Sequence, residues 1–182
     1  MTSETSAPTW TIDPIHSSVE FSLAYMGMSV YRTRFRSLEG TLTFDPEAPA
    51  RSSVTASIPV ASIDVTNERL MGRLMDPDLL GGRDYPTMTF RSTAVEPVDA
   101  TRWTVKGELT IHGVTRPVAL HTRVLGQSKS PFTGKIVAAF RAEMTIDRHD
   151  FGVSWNTALE TGGTYLGEQV DVSLVIMGVR QD

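Results

Sequence analysis

The chain has 182 residues, enough for one ordinary domain or one large β-domain. Its 17 Lys and Arg against 21 Asp and Glu give a formal net charge of −4, which argues against nucleic acid as a partner because phosphate recognition needs clustered positive charge. The 40% of hydrophobic residues exclude wholesale disorder, and the absence of cysteine excludes disulfides, thiolate metal sites and cysteine nucleophiles.

The N-terminal residues do not resemble a secretory signal. Residues 1–10 contain no basic region and no apolar run, and no stretch of the chain approaches the roughly 18 apolar residues of a membrane helix. We therefore expect a cytoplasmic protein without stable membrane insertion. Its disordered tail is expected over residues 1–8 and its single domain over residues 9–180.

Alternation of apolar and polar residues is the dominant pattern. Ser18–Tyr25 has one apolar face and one small or polar face, which is typical of a half-buried strand. The pattern returns at Leu38–Phe44, Val54–Val60, Met88–Ala94, Trp103–Ile111, Val118–Val124, Ile136–Ile146 and Val170–Ile176. Turn sequences such as His112-Gly113 separate these runs. About eight strands with short connections predict an all-β fold, an antiparallel β-barrel or a sandwich.

One segment has helical periodicity instead. Leu70, Met71, Leu74 and Met75 share one side of a predicted short helix at about residues 67–75. The apolar pair Leu79-Leu80 follows it. In a barrel, this segment covers one mouth, either as a lid over a ligand or as a plug that completes the core.

Small residues on the predicted inward face decide between a filled core and a cavity. They are Ala56, Ser92, Ala94, Gly107, Thr122, Ala138 and Ala142. So many small side chains favour a barrel with room for one slim ligand. The alternative is a taper, in which small and large residues alternate simply to fill a narrow barrel.

Motifs for catalysis or metal binding are absent from the sequence. The histidines His16, His112, His121 and His149 lack metal-ligand spacing, and neither a nucleophile elbow nor a phosphate loop occurs. We therefore expect no metal and no cofactor.

Arg148 allows two interpretations. This arginine follows a strand and precedes Phe151-Gly152. It could pin a loop or meet the polar end of a ligand, or it could stack on Trp155 or pair with Asp13 or Asp150.

Several blocks of the sequence resemble the YceI-like family. In chain order they are Trp10-Thr-Ile12-Asp13-x-x-His16-Ser17 with Val19-x-Phe21, Phe35-x-x-Leu38-x-Gly40, Ser62-Ile63-Asp64-x-x-Asn67, Tyr85-Pro86-x-Met88-x-Phe90, residues 107–118 (GELTIHGVTRPV), Arg148-x-x-Phe151-Gly152-Val153 and Val170-x-Val172. Together they extend over about residues 10 to 178, nearly the whole chain.

The resemblance implies a lipocalin-like antiparallel β-barrel with a long apolar tunnel. Relatives bind polyisoprenoid chains, including quinone tails, many are exported to the periplasm, and some form dimers, so a homodimer is one expectation here. The family is described as binding proteins without an established catalytic set. This sequence departs from the family pattern at the helix, where Leu70–Leu74 (LMGRL) replaces the usual Arg-Asp and His-Leu, and at Asp78-Leu79-Leu80, where Asp-Phe-Phe is usual. Thr33 replaces the usual glycine of the block before Phe35.

Two functions follow as hypotheses. The first is a carrier or sequestering protein that holds a long lipophilic small molecule in the tunnel, with no catalytic residue required. Its expected ligand-binding residues are Phe21, Leu23, Tyr25, Leu70, Leu74, Leu79, Leu80, Phe90, Ala138, Phe140, Ala142, Met144 and Trp155. The second is a cofactor-independent cyclase that folds a polyene or polyketide in the dry cavity. Its candidate catalytic residues are Tyr25, Tyr31, Arg148 and Trp155.

Overall fold

Antiparallel strands account for most of the protein. A computed structural model describes residues 7–181. The strands are β1 (Thr9–Ile12), β2 (Ser18–Tyr25), β3 (Ser29–Phe35), β4 (Glu39–Thr43), β5 (Ser53–Pro59), β6 (Thr87–Pro97), β7 (Arg102–Ile111), β8 (Val114–Lys129), β9 (Ile136–Asp147) and β10 (Leu166–Arg180). The helix α1 (Glu68–Leu74) and three 3₁₀ turns, Pro49–Arg51, Val60–Ser62 and Arg148–Phe151, complete the regular structure.

The sheet closes on itself. The strand order is β1-β4-β5-β6-β7-β8-β9-β10, and β1 also pairs with β10, so eight strands form the predicted closed antiparallel barrel. Trp10 lies opposite both Leu42 of β4 and Arg180 of β10. Closure removes the exposed strand edges that an open sheet would leave.

The hairpin of β2 and β3 extends the sheet beyond this ring. Strand β2 pairs with β10 over Leu166–Val175, next to the residues of β10 that pair with β1. Strand β3 pairs with β2, and its last residues are bonded to the chain after β5, where Phe35 bridges to Ile63 and Asp64 N–H donates to Arg34 O at 2.7 Å.

Side-chain packing fills one end of the barrel. At the Arg180 end of β10, the Phe44 ring lies 6.0 Å from Trp10, 5.5 Å from Trp103 and 4.9 Å from Phe140, measured between ring centroids. Trp10 and Phe44 are almost fully buried. The contacts of Phe44 with Trp10 and Phe140 are edge to face, an arrangement that adds to the stabilisation from burial itself.

Two strands were missing from the sequence prediction, and one predicted face needs correction. Strands β1 and β3 were not predicted, because β1 has only four residues and the Met26-Gly27 turn before β3, with φ of 52° and 64°, is not a common turn sequence. The inward placement of Ala94 is wrong. A β-bulge between Ser92 and Ala94 shifts the alternation, so Ala94 is exposed and Val95 is buried.

The predicted helix and tail have different outcomes. The helix at about 67–75 is confirmed by α1, whose first turn is capped when the Asn67 side chain accepts the Leu70 N–H at 2.9 Å. The predicted tail lies mostly in residues 1–6, outside the described residues. Pro8, the last residue assigned to that tail, accepts a hydrogen bond from the backbone of Phe44 at 3.4 Å.

Candidate functional site

An apolar cavity of about 520 Å³ lies in the barrel at the end where β10 begins. Strands β2, β3, β7, β9 and β10 contribute its wall, and α1 with the loop after it covers one side. Ile58 of β5 and Met88 of β6 also line the cavity. The volume is in the range of small-molecule sites in proteins.

A second cavity of about 160 Å³ adjoins the first, deeper in the barrel. The two cavities share the lining residues Val19, Ile58, Met88, Leu109, Met144 and Val172. Phe44, Trp103 and Phe140 line the inner cavity on its far side. A slim chain that enters the outer cavity therefore has apolar surroundings as far as this aromatic cluster.

The outer cavity brings together most of the residues predicted from the sequence. It is lined by Phe21, Leu23, Tyr25, Tyr31, Leu70, Leu74, Leu79, Leu80, Met144, Arg148 and Trp155. The inner cavity is lined by Phe90, Phe140, Ala142 and again Met144. Ala138 lines neither cavity. It faces inward, but it is 1% exposed and packed in the core, because Gly178 lies opposite it and Trp10 fills the adjoining space.

The cover is held to the rim by charged side chains. Arg73 of α1 donates to both carboxylate oxygens of Asp78, at 2.6 and 2.8 Å. The same guanidinium lies over the Trp155 ring, 5.1 Å from its centroid. Arg73 also holds the pKa of Asp78 below its usual value. Helix, loop and the Trp155 segment are therefore joined at one point.

His112 holds the same loop from the other side. This residue forms the β7–β8 turn with Gly113, both with positive φ, as the sequence predicts for a two-residue hairpin loop. Its Nε2–H donates to the carbonyl of Pro77 at 2.6 Å, and its ring lies 5.0 Å from Tyr85. A turn residue thus fixes the cover to the barrel.

A pair of tyrosines brings polar atoms to the cavity. The hydroxyls of Tyr25 and Tyr165 lie 2.5 Å apart, and the rings meet edge to face. This hydrogen bond raises the pKa of Tyr165, and burial raises the pKa of Tyr31, so these phenols are neutral at physiological pH. Neutral phenols can donate a hydrogen bond to a ligand oxygen.

Arg148 is buried in the cavity wall, where it holds the loop that follows Phe151 through backbone carbonyls and not through the side chains named above. It donates from Nε to Gly167 O at 2.9 Å and from Nη1 to Val153 O and Trp155 O at 2.7 and 2.9 Å. It neither stacks on Trp155 nor pairs with Asp13 or Asp150. Arg73 lies over the Trp155 indole, and the guanidinium of Arg148 is bonded to backbone carbonyls. Burial lowers the pKa of Arg148.

Sequence reasoning missed Tyr165, Arg73 and the structural role of His112. Tyr165 precedes β10 in a segment without periodicity, and Arg73 lies on a helix that was examined for its apolar side. The hairpin sequence around His112 predicted a turn only, because the partner of its side chain, Pro77, is distant in the chain.

A group of possible metal ligands lies outside the cavity. Among residues 7–181, Asp147, His149 and Glu168 have candidate ligand atoms within 4.8 Å of one another. His149 and Glu168 are exposed, and the Asp147 carboxylate already accepts hydrogen bonds from the His149 backbone and the Gln169 amide. Exposed groups of this kind are common without a metal. Within the described part of the chain, no helix has the length and apolar character needed to cross a membrane.

Comparison with known proteins gives the same fold. The sequence model of the YceI-like domain matches residues 10–177. Protein YceI of Escherichia coli O157:H7 is 32% identical over 166 residues, which are 91% of this chain and 83% of that protein. The crystal structure of Burkholderia cenocepacia BcnA superposes with a TM-score of 0.79 at 23% identity, covering 91% of this chain and 98% of that one.

A third comparison concerns a protein whose ligand class is named. A structure described as a polyisoprenoid binding domain from Saccharophagus degradans, implicated in plant cell wall breakdown, superposes with a TM-score of 0.70 at 17% identity. It covers 94% of this chain and 98% of that one. At this identity the likeness shows a shared barrel fold.

The ion pair between Arg73 and Asp78 predicts how the cover opens. Asp78→Asn removes the charge, so amide hydrogen exchange should rise over Glu68–Leu74 while the melting temperature changes little, because the pair is exposed. Asp84→Asn, in the same loop but without an ion pair among the described residues, is the control.

Acidification should have the same effect. Because the pKa of Asp78 is lower in the folded protein, its contribution is complete above the pKa of the unfolded chain and is lost as the pH falls through the lowered value. Unchanged exchange in Asp78→Asn would mean that apolar contacts alone hold the cover.

Proposed function

We propose that this chain, which belongs to the YceI-like family, binds a long lipophilic molecule of the polyisoprenoid kind in its barrel, as a carrier or sequestering protein. The observation that carries the proposal is the apolar cavity of about 520 Å³ with the inner cavity adjoining it. Support also comes from the Saccharophagus neighbour, which is named for polyisoprenoid binding.

Burial of the chain is the source of affinity. Each methylene removed from water contributes about 0.8 kcal/mol, while association and ordering of a flexible chain oppose binding. Several prenyl units in the two cavities give an expected dissociation constant below about 1 μM. No charged group is required for this part of the interaction.

Residues in the two cavities have different parts in the proposal. In the outer cavity Phe21, Leu23 and Met144 contact the ligand chain, and the cover residues Leu70, Leu74, Leu79 and Leu80 shield it from water. In the inner cavity Phe90, Phe140 and Ala142 contact its far end. Tyr25 and Trp155 contact the end nearest the rim. Ala138 is withdrawn from the proposed contacts because it lies within the packed core.

Freshly purified protein tests the proposal. Native mass spectrometry should show a stoichiometric adduct, and solvent extraction should release a lipophilic molecule. Protein stripped of lipid should then take up geranylgeraniol with the affinity given above. Protein that is purified empty and also fails to take up geranylgeraniol would contradict the proposal.

The depth of binding is tested by filling the inner cavity. Ala142→Phe places a ring in a space of about 160 Å³, so affinity for a long polyprenol should fall by about tenfold or more while geraniol binds as before. The matched control is Ala139→Phe, on the opposite face of β9. Circular dichroism checks that both variants fold, and unchanged long-chain affinity in folded Ala142→Phe would place the ligand in the outer cavity alone.

A second candidate function is cyclisation of a polyene or polyketide within the barrel. The observation that favours it is the presence of Tyr25, Tyr31 and Arg148 on an otherwise apolar cavity, where a phenol or guanidinium can polarise a carbonyl. Trp155, on the same wall, offers a π-face to a developing cation.

Turnover of bound polyenes distinguishes the two functions. A panel of linear polyenes should react faster with the protein than in buffer if it is a cyclase, and Tyr25→Phe should slow that reaction. If the polyenes bind tightly and are recovered unchanged, the result contradicts the cyclase and favours the carrier function.

A further inference from the structure

Arg148 has one nitrogen without a partner. Its Nε and Nη1 are bonded to three backbone carbonyls, whereas Nη2 is buried and has no hydrogen-bond partner among residues 7–181. The whole residue is 5% exposed and lines the outer cavity. Buried polar groups in native proteins nearly always have partners, so an unpartnered donor on a cavity wall leaves a place for a partner from outside the chain, a water or a ligand atom.

The positive charge of this guanidinium is also not balanced by an ion pair. No carboxylate of the described residues lies within ion-pair distance of Arg148, although Asp147 precedes it in the chain. Three carbonyls fix the group in place, and carbonyls do not neutralise it. A buried cation held in this way is a preorganised site for an oxygen that carries negative charge.

The number of free donors restricts the anion. Both N–H groups of Nη1 and the single N–H of Nε are in use, which leaves the two N–H groups of Nη2. The tyrosine pair adds a phenol donor to the same part of the wall, since Tyr25 pairs with Leu166 and Arg148 is bonded to Gly167. One nitrogen and a phenol can satisfy a carboxylate. They are too few for a phosphate monoester, which presents three charged oxygens.

We infer that the ligand is a long-chain carboxylate whose head group meets Nη2 of Arg148. This inference rests on the proposed function, because the chain of the acid occupies the cavity assigned above. It adds the chemical class of the head group, which the apolar lining leaves open. The acid is held with its carboxylate near Leu166–Gly167 and its chain directed towards the inner cavity.

Ligands with one chain and different head groups test the inference. The probes are geranylgeranoic acid, its methyl ester, geranylgeraniol and geranylgeranyl monophosphate, each measured by competition at neutral pH against wild-type protein. The acid should bind about tenfold or more tighter than the ester and the alcohol, because a hydrogen bond to a charged group discriminates by that order. It should also bind tighter than the phosphate.

Two arginine variants locate the preference. Arg148→Met should abolish the preference for the acid and leave the affinity for the ester nearly unchanged. Arg73→Met is the matched control, because Arg73 is the other guanidinium on the outer cavity and already has Asp78 as a partner. Arg73→Met should keep the preference. A melting curve shows whether Arg148→Met folds, and if it does not, the head-group series on wild-type protein and on Arg73→Met still decides.

Failure of the inference differs from failure of the proposed function. Equal binding of all four probes overturns the carboxylate and leaves lipophilic binding in place. If the monophosphate binds most tightly, the head group is a phosphate and not a carboxylate. If Arg73→Met loses the preference for the acid, the head group is bound by Arg73 and the assignment to Arg148 is wrong. Absence of binding by all four contradicts the proposed function itself.

Discussion

Strand β10 determines the arrangement of the whole barrel because it pairs with two different strands along one edge. Its last residues pair with β1, which closes the ring, and its earlier residues pair with β2. Where β1 closes the ring, Phe44 packs against both Trp10 and Phe140 and forms the far wall of the inner cavity. Where β2 and β3 replace β1, the wall includes α1 and a loop in addition to strands, and the large cavity is found there.

The cover over that cavity differs from the barrel in the interactions that hold it. Strands are joined by continuous backbone ladders, whereas the cover has one backbone bond to the rim, from Trp155 N–H to Asp78 O at 3.0 Å. Its other attachments are the buried side chain of Leu79, the stacking of Arg73 on Trp155 and the bond from His112 to Pro77. Side-chain contacts at an exposed rim are individually weak. Regions held by such contacts open at lower free energy than the body of a protein. The cover is therefore the part of the cavity wall that we expect to open first.

Alternation predicted most of the barrel because a strand buried on one face repeats every two residues, as Ser18–Tyr25 does. It could not predict β1, which is too short to show a period, or the change of face at Ala94, because a β-bulge is not visible in a pattern of apolar residues. In the site, the alternation of inward-facing and outward-facing residues along each strand predicted the apolar lining. The bonds of Arg148 to Gly167 and Val153 did not, because a carbonyl partner carries no side-chain signature in the sequence.

Affinity and selectivity have separate physical origins in this cavity. An apolar lining gains free energy from any chain that fits, and it discriminates weakly between chains that differ by a methylene group. Larger differences in affinity between ligands arise where one ligand forms a hydrogen bond with a buried polar group and another leaves that group unpaired. At the rim such groups are Arg148 and the tyrosine pair, and in the inner cavity they are the hydroxyls of residues such as Thr43, Ser52 and Thr122. In the proposed complex the depth of the barrel sets how much of the ligand chain is buried, and the polar groups at its two ends set which ligands are preferred.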